Sequence, residues 1–156
     1  MIRPIRLELA DETIARSILA LQREAYTVEA ERIGHDGIPA LTETLDELRA
    51  GGEAWMGAFD DEDLAGAVSW KVLDDGTIDI HRLVVAPRSF RRGVASALLD
   101  ALDGEFPDRS MVVSTGSANQ PALALYRARG FVAVRDREVA PGLIITELER
   151  RRPSTG

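Results

Sequence analysis

The chain of 156 residues contains no cysteine, only two histidines and one lysine. Without cysteine there is no disulfide, no thiolate metal ligand and no cysteine nucleophile. The histidines, His35 and His81, lie too far apart for a helical HExxH zinc pair, so we expect no metal site. The N-terminus has no signal-peptide core, and no apolar run is long enough to cross a bilayer. We therefore expect a cytoplasmic protein with no membrane partner.

The net charge of -7 disfavours nucleic-acid binding, which needs a cationic surface. Arg88, Arg91 and Arg92 nevertheless form a basic island in this acidic chain. Such an island is typical of a site for a small anion rather than for a long polyanion. The length and the hydrophobic content of 45% suit one domain. We predict that this domain spans residues 1–150 and that a frayed tail follows at 151–156.

Hydrophobic periodicity predicts an α/β (α+β) fold, in which a mixed, mostly antiparallel sheet carries helices on its faces. Strands are predicted at residues 2–9, 53–59, 64–73, 77–85, 111–114, 131–134 and 143–148. Helices are predicted after Asp11, between Thr44 and Gly51, from Val94 and over 119–129. Strands two to four follow one another through acidic turns, which predicts an antiparallel meander.

The segment from Leu83 to Ser96 joins an apolar strand to a helix through a basic, glycine-containing loop. A helix start offers unpaired amides and the positive end of the helix dipole, which together bind anions. Gly93 allows a tight turn and the close approach of a phosphate, and Ala95 is small enough to leave that approach open. The alternative is a plain strand-to-helix connection with solvated arginines.

The helix after Asn119 carries an amide and a phenol on one side. Asn119 and Tyr126 are seven residues apart, nearly two turns, so both project from one face with Leu123 between them. The functional interpretation is that both side chains line a ligand cleft. The alternative is that Asn119 only caps the helix, while Tyr126 packs its ring and keeps its hydroxyl in water.

Together, the two segments resemble the GNAT superfamily of acyl-coenzyme A-dependent N-acyltransferases. The family loop reads Gln/Arg-x-x-Gly-x-Gly/Ala; Gly93 and Ala95 match it, whereas Phe90 stands at its first position. The second family motif, an Asn, a helix with a Tyr, then Gly-Phe, is matched by Asn119, Tyr126 and Gly130-Phe131. The resemblance implies a central sheet of about seven strands with a V-shaped splay between strands 4 and 5.

The resemblance also implies acetyl-CoA as co-substrate and assigns residues to it. The pyrophosphate would be held by loop amides, the pantetheine arm would pair with strand 4, and Asn119 would contact the cofactor. Tyr126 would protonate the departing thiolate. The implied cofactor-binding residues are Leu83, Val84, Val85, Arg91, Arg92, Gly93, Val94, Ala95, Ser96 and Asn119.

Two residues of the fourth strand are candidates for the base that takes the proton from the amine. Strand alternation places Asp79 and His81 on the same face as Leu83 and Val85. Histidine has the more suitable pKa near neutrality, whereas Asp79 would need a water relay or a raised pKa. The alternative for both is a solvated strand face.

The acceptor site is implied at the first two helices and the last strands, with Tyr26 and Glu29 as candidates for binding the amine. We expect acetyl transfer to a primary amine of a small molecule, by direct attack in a ternary complex. Two other functions stay open: a non-catalytic acyl-CoA sensor module, and acetylation of a protein N-terminus or lysine. Members of the family often pair, so a homodimer is also an expectation.

Overall fold

The computed structural model describes residues 2–33 and 43–152, without the side chains of residues 29, 32 and 33. The strands are β1 (Ile2–Leu7), β2 (Ala54–Asp60), β3 (Asp63–Val72), β4 (Ile78–Val85), β5 (Met111–Gly116), β6 (Val132–Ala140) and β7 (Leu143–Arg150). The helices are α1 (Glu12–Ile33), α2 (Leu45–Ala50), α3 (Val94–Glu105) and α4 (Gln120–Ala128). A 3-10 turn at Pro87–Ser89 precedes α3.

The seven strands form one sheet in the order β1-β2-β3-β4-β5-β7-β6. All neighbours pair antiparallel except β4 and β5, which run parallel. The predicted mixed, mostly antiparallel sheet with a β2–β3–β4 meander is confirmed. None of the helices in the described ranges is both long and apolar enough to span a membrane.

The parallel pair of strands separates soon after it begins. β4 and β5 share register over three positions, from Ile78 opposite Met111 to Ile80 opposite Val113. β4 then continues to Val85, and β5 to Gly116, without facing each other. The predicted V-shaped splay between strands 4 and 5 is therefore present, and it opens toward the start of α3.

Helices cover both faces of the sheet. One core lies against α3 and α4 and contains Trp70, Ile80 and Leu98. The other lies against α1 and α2 and contains Ile18, Trp55 and Val84. The N-terminus of α2 has a capping box, because the Thr44 hydroxyl accepts from the amide of Glu47, whose carboxylate accepts from the amide of Thr44.

A β-bulge interrupts the pairing of β3 with β4. Ser69 lies opposite Arg82, but the next residue, Trp70, lies opposite Ile80, which leaves His81 as the extra residue. A bulge shifts the alternation of the strand by one residue. If alternation is counted back from the residues after His81, the residues before His81 point to the opposite face from the one that the count predicts.

The bulge corrects one prediction. Ile80 packs in the core on the α3 side, and so do Leu83 and Val85 beyond the bulge. Asp79 alternates with Ile80 and thus lies on the α1 side, away from Leu83 and Val85. The expectation that Asp79 and His81 share a face with Leu83 and Val85 is wrong, because one inserted residue reverses the alternation.

β6 is longer than the predicted strand at 131–134. It is an edge strand of the sheet, and all of its residues up to Val139 are exposed. An edge strand has no neighbour on one side and here buries neither face, so it tolerates the charged run Arg135–Glu138. Apolar alternation cannot reveal such a strand.

The start of α3 packs closely on β3 at a glycine. A Cβ on Gly66 would lie 2.6 Å from Cγ1 of Val94 and 2.9 Å from the carbonyl oxygen of Val84. Val94, the first residue of α3, is buried. The glycine therefore lets the helix start lie directly on the sheet beside the splay.

We expect Gly66→Ala to destabilise the protein by about 1–3 kcal/mol, because the added methyl group meets side-chain and backbone atoms. Gly104→Ala is the matched control, since Gly104 lies in α3 and a Cβ there meets nothing within 4 Å. The control should be neutral or stabilise by up to about 1 kcal/mol through helix propensity. Urea unfolding measures both variants, and equal stability of Gly66→Ala and the parent would refute the packing argument.

Candidate active site

The splay between β4 and β5 opens into a cleft of about 850 Å³. Its walls come from β4, the loop before α3, the start of α3, β5, α4, α1 and the β6–β7 hairpin. Most of the predicted site residues line it: Tyr26, His81, Leu83, Val84, Val85, Arg91, Gly93, Val94, Ala95, Ser96, Asn119 and Tyr126. The structure therefore brings together residues that are 100 positions apart in the chain.

Three predicted site residues are not among those that the structure places along the cleft. The side chain of Arg92 turns to Asp60, with 2.5 Å between Nη1 and Oδ2, and Arg92 is not among the lining residues. Asp79 is not a lining residue either, because it lies on the far side of the bulge. The side chain of Glu29 lies outside the described residues, so its role at the acceptor stays a prediction.

The N-terminus of α3 faces the cleft without a side-chain cap from the described residues. Gly93, at the N-cap, has a φ of 77°, in the left-handed region that favours glycine. The first amides of the helix, which include those of Val94, Ala95 and Ser96, have no intrahelical acceptor, and the positive end of the helix dipole adds to them. This end of the cleft is suited to an anion.

Only one of the three loop arginines lines the cleft. Arg88 contacts the carboxylate of Glu24 at 3.0 Å and the carbonyl of Leu64, also at 3.0 Å. Arg92 pairs with Asp60, whereas Arg91 is a lining residue with a φ of 65°. The basic island is therefore largely ion-paired, so an anion at this end of the cleft would meet helix amides more than arginine charge.

α4 places its two polar residues on the opposite wall. Asn119 caps the helix, since its Oδ1 accepts from the amide of Ala122 at 3.3 Å, and it also lines the cleft. Tyr126 is 3% exposed, and its ring meets that of Phe131 edge-on, with centroids 5.4 Å apart. The capping role of Asn119 and its place in the cleft are thus compatible.

A buried polar cluster lies beside the cleft on the α1 side of β4. At its centre Arg82 donates to Glu43 at 2.5 and 2.9 Å, to Glu53 at 3.2 and 3.1 Å, and to Gln22 at 2.6 Å. Its guanidinium also lies 5.6 Å from the centre of the Trp55 ring. Through these contacts Arg82 of β4 is joined to α1, to Glu43 just ahead of the cap of α2, and to Glu53 just before β2.

The carboxylates of Glu43 and Glu53 both pair with the guanidinium of Arg82. Hydrogen bonds from Arg82, with a smaller contribution from Gln22, lower the pKa of Glu43 despite its partial burial. Burial acts to lower the pKa of Arg82, but the hydrogen bonds and charges of Glu43 and Glu53 outweigh it and raise that pKa. The guanidinium therefore stays charged inside the cluster.

His81 connects this cluster to the cleft. Its Nε2 lies 3.1 Å from Oδ2 of Asp79, and its Nδ1 lies 3.5 Å from Oε1 of Glu53. His81 is a lining residue of the cleft and its side chain is one-third exposed, whereas the side chain of Glu53 is only 4% exposed. His81 thus stands between two carboxylates at the boundary of the buried cluster.

Sequence reasoning did not find Gln22, Glu43 and Glu53. They lie far apart in the chain: Gln22 is in the middle of the first helix, and Glu43 and Glu53 stand where the second helix and the second strand begin. The one available signal was Arg82, a charge within an apolar strand, which needs a buried partner. Which carboxylates supply that partner depends on the bulge and on the packing of α1.

Residues 15–131 match the Acetyltransferase (GNAT) family. The chain belongs to this family. A curated relative of this GNAT chain is UPF0157 protein YqkA of Bacillus subtilis (strain 168), 38% identical over 141 residues. The match covers 90% of this chain and 41% of that protein, so the chain spans about two fifths of the length of the relative.

Solved GNAT structures share the fold. The ribosomal-protein-S18-alanine N-acetyltransferase of Escherichia coli has a TM-score of 0.79 and 17% identity, with 100% of this chain and 97% of that chain covered. The PaiA N-acetyltransferase of Thermoplasma acidophilum, solved in complex with coenzyme A, has a TM-score of 0.75 and 15% identity, with 98% and 99% covered.

The pKa of Glu43 predicts how stability depends on pH. A carboxyl whose pKa is lowered by folding stabilises the protein above its ordinary pKa, and this contribution is lost as the pH falls through the lower folded pKa. We expect Glu43→Gln to be less stable at neutral pH and to lose less stability between about pH 5 and pH 3 than the parent does.

Urea unfolding at a series of pH values measures how the free energy of unfolding of each protein changes with pH. Glu12→Gln is the control, since Glu12 pairs with Arg16 at 3.0 Å on an exposed helix surface, where ion pairs contribute little. The control should follow the parent at every pH. If the free energy of unfolding of Glu43→Gln changed with pH in parallel with that of the parent, the lowered pKa of Glu43 would be contradicted.

Proposed function

We propose that this GNAT protein transfers the acetyl group of acetyl-CoA to a primary amine of a small molecule, by direct attack in a ternary complex. One observation carries the proposal: the splay of β4 from β5 forms a cleft with an uncapped helix start at one end and Tyr126 on its wall. The coenzyme A complex of the PaiA enzyme, which shares the fold, also supports it.

The cleft residues fit an acyl-CoA. The amides from Arg91 to Ser96 would hold the pyrophosphate, because they surround the start of α3. Beyond Ile80 the edge of β4 that faces β5 has no strand partner, so the backbone of Leu83–Val85 can pair with an extended amide-bearing chain. Asn119, on the opposite wall, would contact the same ligand.

When bound, acetyl-CoA supplies an acyl group activated as a thioester. Tyr126, on the wall opposite β4, would give its phenolic proton to the sulfur as the carbon–sulfur bond breaks. An amide of Leu83–Val85 would donate a hydrogen bond to the carbonyl oxygen as negative charge develops there. The nitrogen–carbon bond forms with the electron pair of the acceptor amine, which must release one proton to the protein.

We assign His81 as the group that accepts this proton from the amine. It lines the cleft, whereas Asp79 does not and instead lies within hydrogen-bonding distance of the imidazole. Asp79 would therefore orient His81 rather than act on the amine itself. Tyr26, on α1, lines the same cleft and is our candidate for contacting the acceptor.

Several assignments remain predictions. These are the contribution of Glu29, a single domain over residues 1–150 with a frayed tail, a cytoplasmic location and a homodimer. The two alternative functions, a non-catalytic acyl-CoA sensor and a protein N-terminal or lysine acetyltransferase, are outcomes that the experiments below distinguish.

We expect acetyl-CoA to bind the parent protein and Gly93→Glu to weaken that binding by more than about tenfold. The carboxylate would repel the pyrophosphate at the helix start, and one lost charge-assisted hydrogen bond is worth about 1.5–3 kcal/mol. Gly52→Glu is the matched control, because Gly52 has a φ of 72° and equally open surroundings away from the cleft. Calorimetric titration measures all three proteins, and a folded parent that binds no acetyl-CoA would refute the assignment.

We expect Tyr126→Phe to lose about 10²- to 10⁴-fold in kcat while it keeps its affinity for acetyl-CoA, because only the acidic proton is removed. The phenyl ring retains the edge-on contact with Phe131. An amine screen that follows free thiol measures turnover, and mass spectrometry of a treated protein mixture detects acetylated lysines or N-termini. A parent that binds acetyl-CoA but acetylates neither class of amine would instead be a sensor module.

A further inference from the structure

The bulge residue His81 is held between carboxylates from two different parts of the sheet. Asp79 is its neighbour on β4, and Glu53 reaches it from the position just before β2, a strand that lies two places away in the sheet. The carboxylate oxygens lie 3.1 Å from Nε2 and 3.5 Å from Nδ1. Bulges often re-aim a side chain next to an active site, and here the bulge brings the imidazole to the cleft.

A neutral imidazole can satisfy only one of these carboxylates. It carries one N–H donor, so the other ring nitrogen presents a lone pair to a carboxylate oxygen. After the ring accepts a second proton, both nitrogens carry a hydrogen and the imidazolium lies between two negative charges. The arrangement therefore stabilises the protonated form of His81, and it differs from a catalytic triad, in which only one ring nitrogen faces a carboxylate.

Glu53 is fixed in place by contacts that do not involve His81. Its carboxylate accepts from the Ser69 hydroxyl at 2.7 Å and from Nε and Nη2 of Arg82 at 3.2 and 3.1 Å. Its side chain is 4% exposed, so water cannot screen its charge effectively. Such a charge acts on His81 from a constant position.

We propose that Glu53 is a positioning residue for acetyl transfer: it holds the His81 imidazole at the cleft and stabilises it once it has taken the proton of the acceptor amine. In this step a nitrogen–hydrogen bond of the amine breaks, its electron pair stays on nitrogen, and the proton moves to a ring nitrogen of His81. The inference rests on the proposed function, because it presumes that His81 serves as the base.

The surroundings of His81 provide a matched control. Asp79 and Arg82 lie beside it on β4, Glu53 faces it from β2, and Tyr26 of α1 lines the same cleft. Glu43 binds the same guanidinium as Glu53 does, but the structure gives it no contact with His81 among the described residues. Glu53→Gln and Glu43→Gln therefore remove the same charge from Arg82, and only the first removes it from His81.

The first experiment is an NMR titration of the histidine rings. The chain has two histidines, so His35→Gln identifies the signal of His81. We expect the midpoint of the His81 signal to move to lower pH in Glu53→Gln, because a neighbouring negative charge is removed. Glu43→Gln should leave the midpoint at the parent position.

The second experiment measures turnover in the same variants. In Glu53→Gln the acid limb of the kcat/KM profile should move to lower pH with the NMR midpoint, and kcat should fall about tenfold to a hundredfold. The KM for acetyl-CoA should stay unchanged, and Glu43→Gln should show neither effect. If Glu53→Gln does not fold, Glu53→Asp keeps the charge but retracts it, and kcat should fall without loss of acetyl-CoA binding.

Two results would overturn the inference while the proposed function stands. One is a His81 midpoint that is unmoved in Glu53→Gln, or moved equally in Glu43→Gln. The other is a moved midpoint with an unmoved acid limb, which would remove His81 from the reaction. A parent that binds no acetyl-CoA would instead refute the proposed function itself, and it is recognised by calorimetry before any variant is made.

Discussion

The separation of β4 from β5 is the constraint on which the rest of the structure depends. Three register pairs hold the two parallel strands together, and beyond Ile80 the edge of β4 is left without a partner strand. An unpaired backbone edge can accept a further strand-like partner, so this gap is suited to the extended, amide-bearing ligand that we propose for it. The close contact at Gly66 seats the uncapped start of α3 beside the gap.

The same strand carries the proposed base, and a bulge sets the orientation of the residues around it. With regular alternation His81 would point toward the α3 core, together with Leu83 and Val85. The extra residue instead puts Asp79 on the α1 side, where Arg82 also lies, and leaves His81 between two carboxylates. A local irregularity of one residue thus separates the part of β4 that offers backbone to a ligand from the part that offers titratable groups.

The Arg82 cluster links this arrangement to the stability of the protein. One buried guanidinium is shared by Glu43 and Glu53, and it connects α1, α2 and β2 to β4. Removing either carboxylate takes away hydrogen bonds of a largely buried guanidinium and leaves the other carboxylate as its one charged partner among the described residues. Glu53, which contacts the proposed base, therefore also helps to hold α1 against the sheet through Arg82, and matched variants are needed to separate the two roles.

The sequence by itself determined the order of the elements, the antiparallel meander, the anion-suited loop before α3 and the Asn119–Tyr126 stripe. These depend on spacing within one segment, where helix and strand periodicity are set by local geometry. Only the tertiary structure decided the length of the edge strand β6, the bulge at His81 and the partners of Arg82. Strand register and buried ion pairs depend on contacts between segments that are distant in the chain. A one-residue shift in register reverses the faces of a strand, and the local sequence pattern does not indicate it.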